Sequence, residues 1–258
     1  SVSISATGLG YDEDRTFAVA TYPANPRAYW SFDNISTRLT MLPRTPNWTS
    51  YVKPNLAHRW KFDELEKDKK DNSTFADSIG DNNITAYSSG APIDSNDSFD
   101  AGKHWKALDF NDTITLPTDV DPSKGLTVSL WARVTAADGG DLVSMGQINK
   151  SPPTGFSISV DPTGWSAIAK ARSGTKPSAA EEFFNPTADN VFKDRSLDPV
   201  WVHLALALTE QNGTSGIWSF YVNGDLIEDG YTEYIPSAGS VKIGDAFEGQ
   251  IDELEIYT

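Results

Sequence analysis

The sequence predicts an all-β protein, a two-sheet antiparallel β-sandwich preceded by an irregular N-terminal extension. Three observations carry this. Apolar residues almost nowhere recur at helical spacing for three turns; short alternating runs bounded by Gly, Pro, Asn and Asp dominate instead. The dipeptide Asn223-Gly224 joins Phe220-Tyr221-Val222 to Asp225-Leu226-Ile227, and both of its residues tolerate the positive φ angles of a type I′ hairpin turn. Two longer runs alternate cleanly enough to be central strands. In the first, Leu126, Val128, Leu130, Ala132 and Val134 face one way, and Thr127, Ser129, Trp131 and Arg133 the other. In the second, Val202, Leu204, Leu206 and Leu208 share a side from which His203 points away.

Along the chain, strands are expected at 56–63, 106–110, 113–116, 126–134, 141–146, 155–161, 165–171, 200–209, 217–222, 240–243 and 249–257. Residues 1–54 read differently. Pro23, Pro26, Pro43, Pro46 and Pro54 punctuate them and their strands are short, so they form an extension or partial module ahead of a domain at 55–258. The stretch 172–199 is expected to be a surface excursion between strands, where binding loops are often found.

Composition narrows the function. Hydrophobic residues at 38% and aromatics at 11% suffice for a packed core. A net charge of −15 excludes nucleic acid as a partner, because that needs clustered Lys and Arg, and it argues equally against anionic membrane surfaces. No run of about 18 apolar residues is present for direct membrane insertion. With no cysteine, disulfide frameworks, thiolate metal sites and cysteine nucleophiles are all excluded. N-x-Ser/Thr sequons stand at Asn34, Asn47, Asn72, Asn83, Asn96, Asn111, Asn149 and Asn212, more than this composition gives by chance, which points to a glycosylated protein. The setting expected is extracellular, on a cell surface or virion surface.

From about Leu56 onward an ordered series of motifs resembles the laminin G-like, concanavalin A-like family. It opens with His58-Arg-Trp-Lys-Phe-Asp-Glu64 and the turn Asp77-Ser-Ile-Gly80. Ala107-Leu-Asp-Phe-Asn-Asp-Thr-Ile-Thr-Leu-Pro117 and Gly125-Leu-Thr-Val-Ser-Leu-Trp-Ala-Arg133 follow. Trp201-Val-His-Leu-Ala205, Trp218-Ser-Phe-Tyr-Val-Asn-Gly224 and Gly249-Gln-Ile-Asp-Glu-Leu-Glu-Ile-Tyr257 complete it. The resemblance implies a concanavalin A-like jelly roll, and a family of carbohydrate-binding modules, adhesion domains and a minority of glycosidases. It also implies a structural Ca²⁺ held by a carboxylate of the closing strand. Simple alternation there places Asp252 on one face with Leu254 and Ile256, where an unpaired carboxylate is costly and a hard cation would offset the cost. Asp252, Asp63 and Asp77 are therefore the candidate metal ligands.

Glycosidases of the family carry E-x-D-x-x-E on one strand so that two carboxylates flank the scissile bond. The nearest match, Gln250-Ile-Asp252-Glu-Leu-Glu255, has a neutral amide in the first position, so a non-catalytic binding or adhesion module is expected. His58, His104 and His203 lie far apart in sequence, and His203 is read as structural. A sugar site needs an exposed aromatic for the ring's apolar face. Trp105, Trp165, Phe183 and Phe184 fall near expected loops and are the candidates, while Trp60, Trp131, Trp201 and Trp218 are read as core. The expected partner is a glycan or surface protein. A competing reading is a structural subunit of a surface layer or filament. In it residues 1–10, through the alternating Val2-Ser-Ile-Ser-Ala6, add as a strand to a neighbour's sheet edge.

Overall fold

A computed structural model describes residues 2–5, 16–17 and 38–40, then 56–63, 66–67, 73–85, 87–88, 91–92, 99–103, 106–110, 113–134, 139–149, 153–162, 165–173, 183–193, 199–212 and 214–258. Two compact units are present, Ser1–Lys53 and Pro54–Thr258. In the first, β1 (Val2–Ser5) lies between β2 (Thr16–Phe17) and β3 (Arg38–Thr40), antiparallel to both. Strand donation requires a free edge. Within the chain Val2 and Ser3 pair with β2, and Ser3, Ile4 and Ser5 pair with β3, so of these four residues Ser3 is the one paired on both sides.

The second unit opens with β4 (Leu56–Trp60), followed by small pieces: β5 (Glu66–Lys67), β6 (Ser73–Phe75), β7 (Ile84–Thr85), β8 (Tyr87–Ser88) and β9 (Ala91–Pro92). Next come β10 (Phe99–Ala101), β11 (Lys106–Phe110), β12 (Ile114–Val120), β13 (Leu126–Val134), β14 (Gly140–Met145), β15 (Phe156–Val160) and β16 (Ala167–Arg172). The chain continues through β17 (Phe183–Phe184), β18 (Thr187–Ala188), β19 (Val202–Asn212), β20 (Ser215–Val222), β21 (Asp225–Thr232), β22 (Gly239–Asp245) and β23 (Gly249–Tyr257). The larger sheet runs β10-β11-β23-β13-β19-β20-β21, with β4 also paired to β23. The smaller runs β12-β22-β14-β15-β16-β17, with β18 on β16. Every pairing is antiparallel, and the result is the sandwich that the alternation predicts.

The core fills the space between the sheets. Val128, Leu130 and Ala132 from β13 meet Val202, Leu204 and Leu206 from β19, all without exposure. Across the gap, the rings of Phe156 on β15 and Trp218 on β20 approach to 6.0 Å. Asn223 and Gly224 take φ of 52° and 90°, the left-handed geometry that the hairpin turn needs.

One register break positions the site. The N-terminal half of β23 pairs with β11, the C-terminal half with β4. Between them, against β13, Trp131 faces Asp252 and Ser129 faces Glu255, so two residues, Glu253 and Leu254, stand opposite Leu130. This is a β-bulge, and Glu253 takes φ of 49° to make it. A bulge reverses the inward and outward assignments beyond it. Ile251, Leu254 and Ile256 therefore all face the core, whereas unbroken alternation would have set Ile251 against the other two. The expectation that Asp252 shares a face with Leu254 and Ile256 is thereby corrected. Asp252 stands beside Trp131 on the opposite side.

Candidate functional site

The outer surface of the larger sheet gathers polar and aromatic groups around Trp131. Trp131 lies on β13 directly opposite His203 on β19, and their rings are 5.2 Å apart at an interplanar angle of 59°. Both are half-buried and point away from the core. Reading Trp131 as core is corrected; its place in the alternation beside Thr127, Ser129 and Arg133 was the signal that could have found it. His203, read as structural, belongs to the same surface. Of the other tryptophans, Trp60 and Trp218 are core and Trp201 is half-buried.

The bulge brings Glu253 into reach of Arg59 on β4, 194 positions away in sequence. Arg59 donates from Nε and Nη2 to Glu253 Oε2 at 2.8 and 2.6 Å, and its Nε lies 3.3 Å from Glu255 Oε1. The Tyr257 hydroxyl donates to Glu255 Oε2. Burial lowers the Arg59 pKa, but the bond and charge of Glu253 and the charge of Glu255 outweigh it, so the guanidinium is held more firmly protonated than usual. Burial, then the bond to Glu255 and its charge, push the Tyr257 phenol well above its ordinary value, keeping it a donor. Arg59, Trp131, His203, Glu253 and Glu255 enclose a depression of about 190 Å³. Lys103, an exposed side chain, places Nζ 4.5 Å from the Trp131 ring centroid.

The three expected metal ligands occupy different surroundings. Asp77 is buried, and its carboxylate accepts from His58 Nδ1 at 2.7 Å, Arg59 N at 3.1 Å and Ile79 N at 3.1 Å. Burial raises its pKa, but these bonds, with that of His58 the largest among them, outweigh it and hold the carboxyl below its ordinary range. A Cβ added at Gly80 would come within 2.9 Å of Asp77 Oδ2, which is why glycine closes the Asp77-Ser-Ile-Gly80 turn. Asp252 is fully buried on β23, and Asp63 is half-buried after β4. Among the described residues no group of three or more His, Asp or Glu is arranged to hold a metal ion. In this arrangement the Asp77 carboxylate is engaged by N–H donors of His58, Arg59 and Ile79.

Of the expected ligand-binding aromatics, Phe184 is core at 4% exposure, packed beneath Gly230, and that expectation is corrected. Phe183 beside it is half-buried. Trp165 packs against the core edge with Lys193 Nζ 3.5 Å over its ring. Trp105 lies outside the described residues. Among the sequons, Asn83 and Asn149 are exposed, and Asn83 Oδ1 accepts from Asp77 N at 3.0 Å. Asn34, Asn47, Asn72, Asn96 and Asn111 lie outside the described residues, as does the side chain of Asn212 at the end of β19. No helix among the described residues is long and apolar enough to cross a membrane.

Two antiparallel sheets packed face to face define the class of this domain as a β-sandwich. The chain belongs to the concanavalin A-like lectin/glucanase superfamily, whose sequence model matches residues 108–258. Curated protein sequences give no match. Among solved structures the chain is similar to domain 4 of AbnA, a GH43 extracellular arabinanase from Geobacillus stearothermophilus solved with arabinotriose. That likeness has 22% identity over 79% of this chain and 92% of the other, with a TM-score of 0.49. It is also similar to the botulinum neurotoxin type G receptor-binding domain, at 15% identity over 79% of this chain and 47% of the other, TM-score 0.50. The chain thus spans about half the toxin domain's length. A third likeness is to the Ruminococcus gnavus IT-sialidase CBM40 bound to α2,6-sialyllactose, at 15% identity over 58% and 89%, TM-score 0.40. These likenesses bear on the fold alone.

Proposed function

We propose that this chain is a non-catalytic glycan-binding module of an extracellular, cell-surface or virion-surface protein, and that the Trp131 face of the larger sheet holds the glycan. The observation that carries the reading is the Trp131–His203 ring pair at the floor of a depression walled by Arg59, Glu253 and Glu255. A pyranose offers an apolar C–H face to an aromatic ring and hydroxyls at its rim, and those hydroxyls suit charged donors and acceptors fixed in place. The Arg59 pairs fix both glutamates before any ligand arrives, which lowers the ordering cost of binding. Lys103 lies over the ring, but an exposed cation–π contact is worth only about 0.5–1 kcal/mol and yields to a stacking sugar.

A binding role is favoured over hydrolysis by what happens to the carboxylates. Gln250 and Asp252 are buried, and Gln250 Oε1 accepts from Arg133 Nη1 at 3.2 Å. Glu253 and Glu255 are bound by one guanidinium rather than set across an open cleft. The sequons support a surface setting.

A glycan array probed with and without EDTA tests the reading, followed by titration of the best neutral glycan with Trp131→Ala. Binding is expected in both arms, and the substitution is expected to weaken it by about three- to tenfold, the equivalent of one aromatic stacking contact. Trp131 points away from the core between the sheets, so the variant should still unfold in one cooperative transition. Silence in both arms, or a Trp131→Ala variant that binds as well as the parent, overturns the proposal.

A further inference from the structure

A second concavity opens at one end of the sandwich. It has a volume of about 510 Å³ and is lined from three connections: the β14–β15 turn, the β19–β20 turn and the segment between β21 and β22. None of its lining residues belongs to the Trp131 face. The volume falls within the range of small-ligand sites and accommodates a short saccharide.

Three features give this cleft a chemical preference. The first is Arg172, at the end of β16, whose guanidinium carbon lies 3.5 Å from the Tyr234 ring centroid. Stacking engages the flat face of the guanidinium and leaves its in-plane N–H groups to point outward. Among the described residues Arg172 has no ion-pair partner. The second is Tyr234 itself, a half-buried side chain that lines the cleft and backs the guanidinium with its ring. The third is a polar rim of Thr154, Glu233 and Ser237, all exposed. Thr154 Oγ1 accepts from Gln147 N at 3.1 Å and keeps its own proton to donate, while Glu233 accepts from hydroxyls.

The site is also held in place. Thr232, fully buried, donates from Oγ1 to Arg172 O at 2.9 Å, and the same oxygen accepts from Tyr234 N at 2.9 Å. One hydroxyl thus ties the strand bearing the cation to the segment bearing the ring.

We infer that this cleft is a second ligand site, for an acidic sugar of the uronate class, with Arg172 receiving the carboxylate edge-on and the Thr154–Glu233 rim receiving ring hydroxyls. A guanidinium fork matches a carboxylate with two parallel bonds, and no other class of saccharide substituent but an acidic one uses it fully. The rim decides for a sugar over an acidic peptide. A peptide carboxylate would satisfy Arg172 but brings no ring hydroxyls for Glu233 to accept from, whereas a uronate sets hydroxyl donors beside its carboxylate and suits both groups at once. The inference stands apart from the Trp131 face, since neither site contributes a residue to the other.

Trigalacturonate, its methyl ester and an Asp/Glu peptide are titrated by calorimetry against the whole chain and against Arg172→Gln, Arg172→Lys and Trp131→Ala. Trigalacturonate alone is expected to bind. The Gln variant should lose at least about tenfold in affinity, in keeping with a charge-assisted bond, and the Lys variant should also weaken because a point charge lacks the fork. Trp131→Ala should bind trigalacturonate unchanged. If Gln unfolds the chain, the Lys variant carries the test, as it retains charge and stem. Undiminished binding in the Gln or Lys variant overturns the assignment. So does equal affinity for the methyl ester, preference for the peptide, or no binding of trigalacturonate by the parent chain. Loss of neutral-glycan binding in Trp131→Ala with uronate binding intact would separate the two sites.

Discussion

Replacing Asp77 separates its two possible roles, a hydrogen-bonded brace or a metal ligand. The side chain of Asp77 has no exposure and accepts from His58 Nδ1, Arg59 N and Ile79 N. Asp77→Ala strands all three donors. Ile79 is 51% exposed, so its N–H can turn to water, and the cost falls on the other two. A buried donor left unsatisfied costs about 1–3 kcal/mol, which gives a loss near 3 kcal/mol. For a domain of this size each kcal/mol moves Tm by about 2–4 °C, so a fall of about 6–12 °C is expected. The loss depends on pH, with a definite sign. The folded pKa of Asp77 lies below the unfolded value near 3.8, so its stabilisation is fully present above that value and is lost as pH falls through the folded one. Urea denaturation of parent and variant from neutral to strongly acid pH should therefore show a gap that is constant at neutral pH and closes in acid. EDTA and added Ca²⁺ complete the assay, with both expected to leave the parent's midpoint unchanged. A variant as stable as the parent at neutral pH, or a gap that widens in acid, would refute the brace. A calcium-dependent midpoint abolished by Asp77→Ala would replace it with the metal ligand.

Phe184→Ala should cost about 3–5 kcal/mol, as for a large aromatic removed from a core, while Phe183→Ala should cost much less; equal losses by thermal denaturation would contradict their opposite facing. Asp141 faces Asp245 across the β14–β22 pair, and burial first, then that neighbour's charge, raise its pKa despite the Ser159 hydroxyl bond at 2.6 Å. A raised folded value means that stability falls as pH climbs from near 3.8 through the folded pKa. Asp141→Asn should thus raise Tm at neutral pH and lose that advantage in acid; a lower Tm at neutral pH would show that the ionised carboxylate is needed.

Much of the architecture was legible because its determinants are local. Period-two alternation reports which side of a strand is buried without reference to any partner, so the runs at 126–134 and 202–208 revealed both central strands. Asn223-Gly224 revealed its hairpin because only certain residues accept positive φ, and Asp77-Ser-Ile-Gly80 marked a turn because one carboxylate can cap nearby N–H groups. The site was harder to read. Trp131 was placed correctly by alternation and misjudged by its size, since a large aromatic within a strand is most often core.

The sequence by itself determined a sandwich of alternating strands, an acidic chain of net charge −15, and a closing strand with Gln250 where the hydrolase pattern has its first carboxylate. Only the tertiary structure decided where Asp252, Glu253 and Arg59 stand. β23 takes β11 as its neighbour over one half and β4 over the other, and the bulge at Glu253 falls where those partners change. Each residue beyond it reverses face, so a glutamate and an arginine 194 positions apart come to share one ion pair beside Trp131. No rule of local periodicity contains that information, because a bulge is set by the pairing of strands distant in sequence rather than by the strand that carries it.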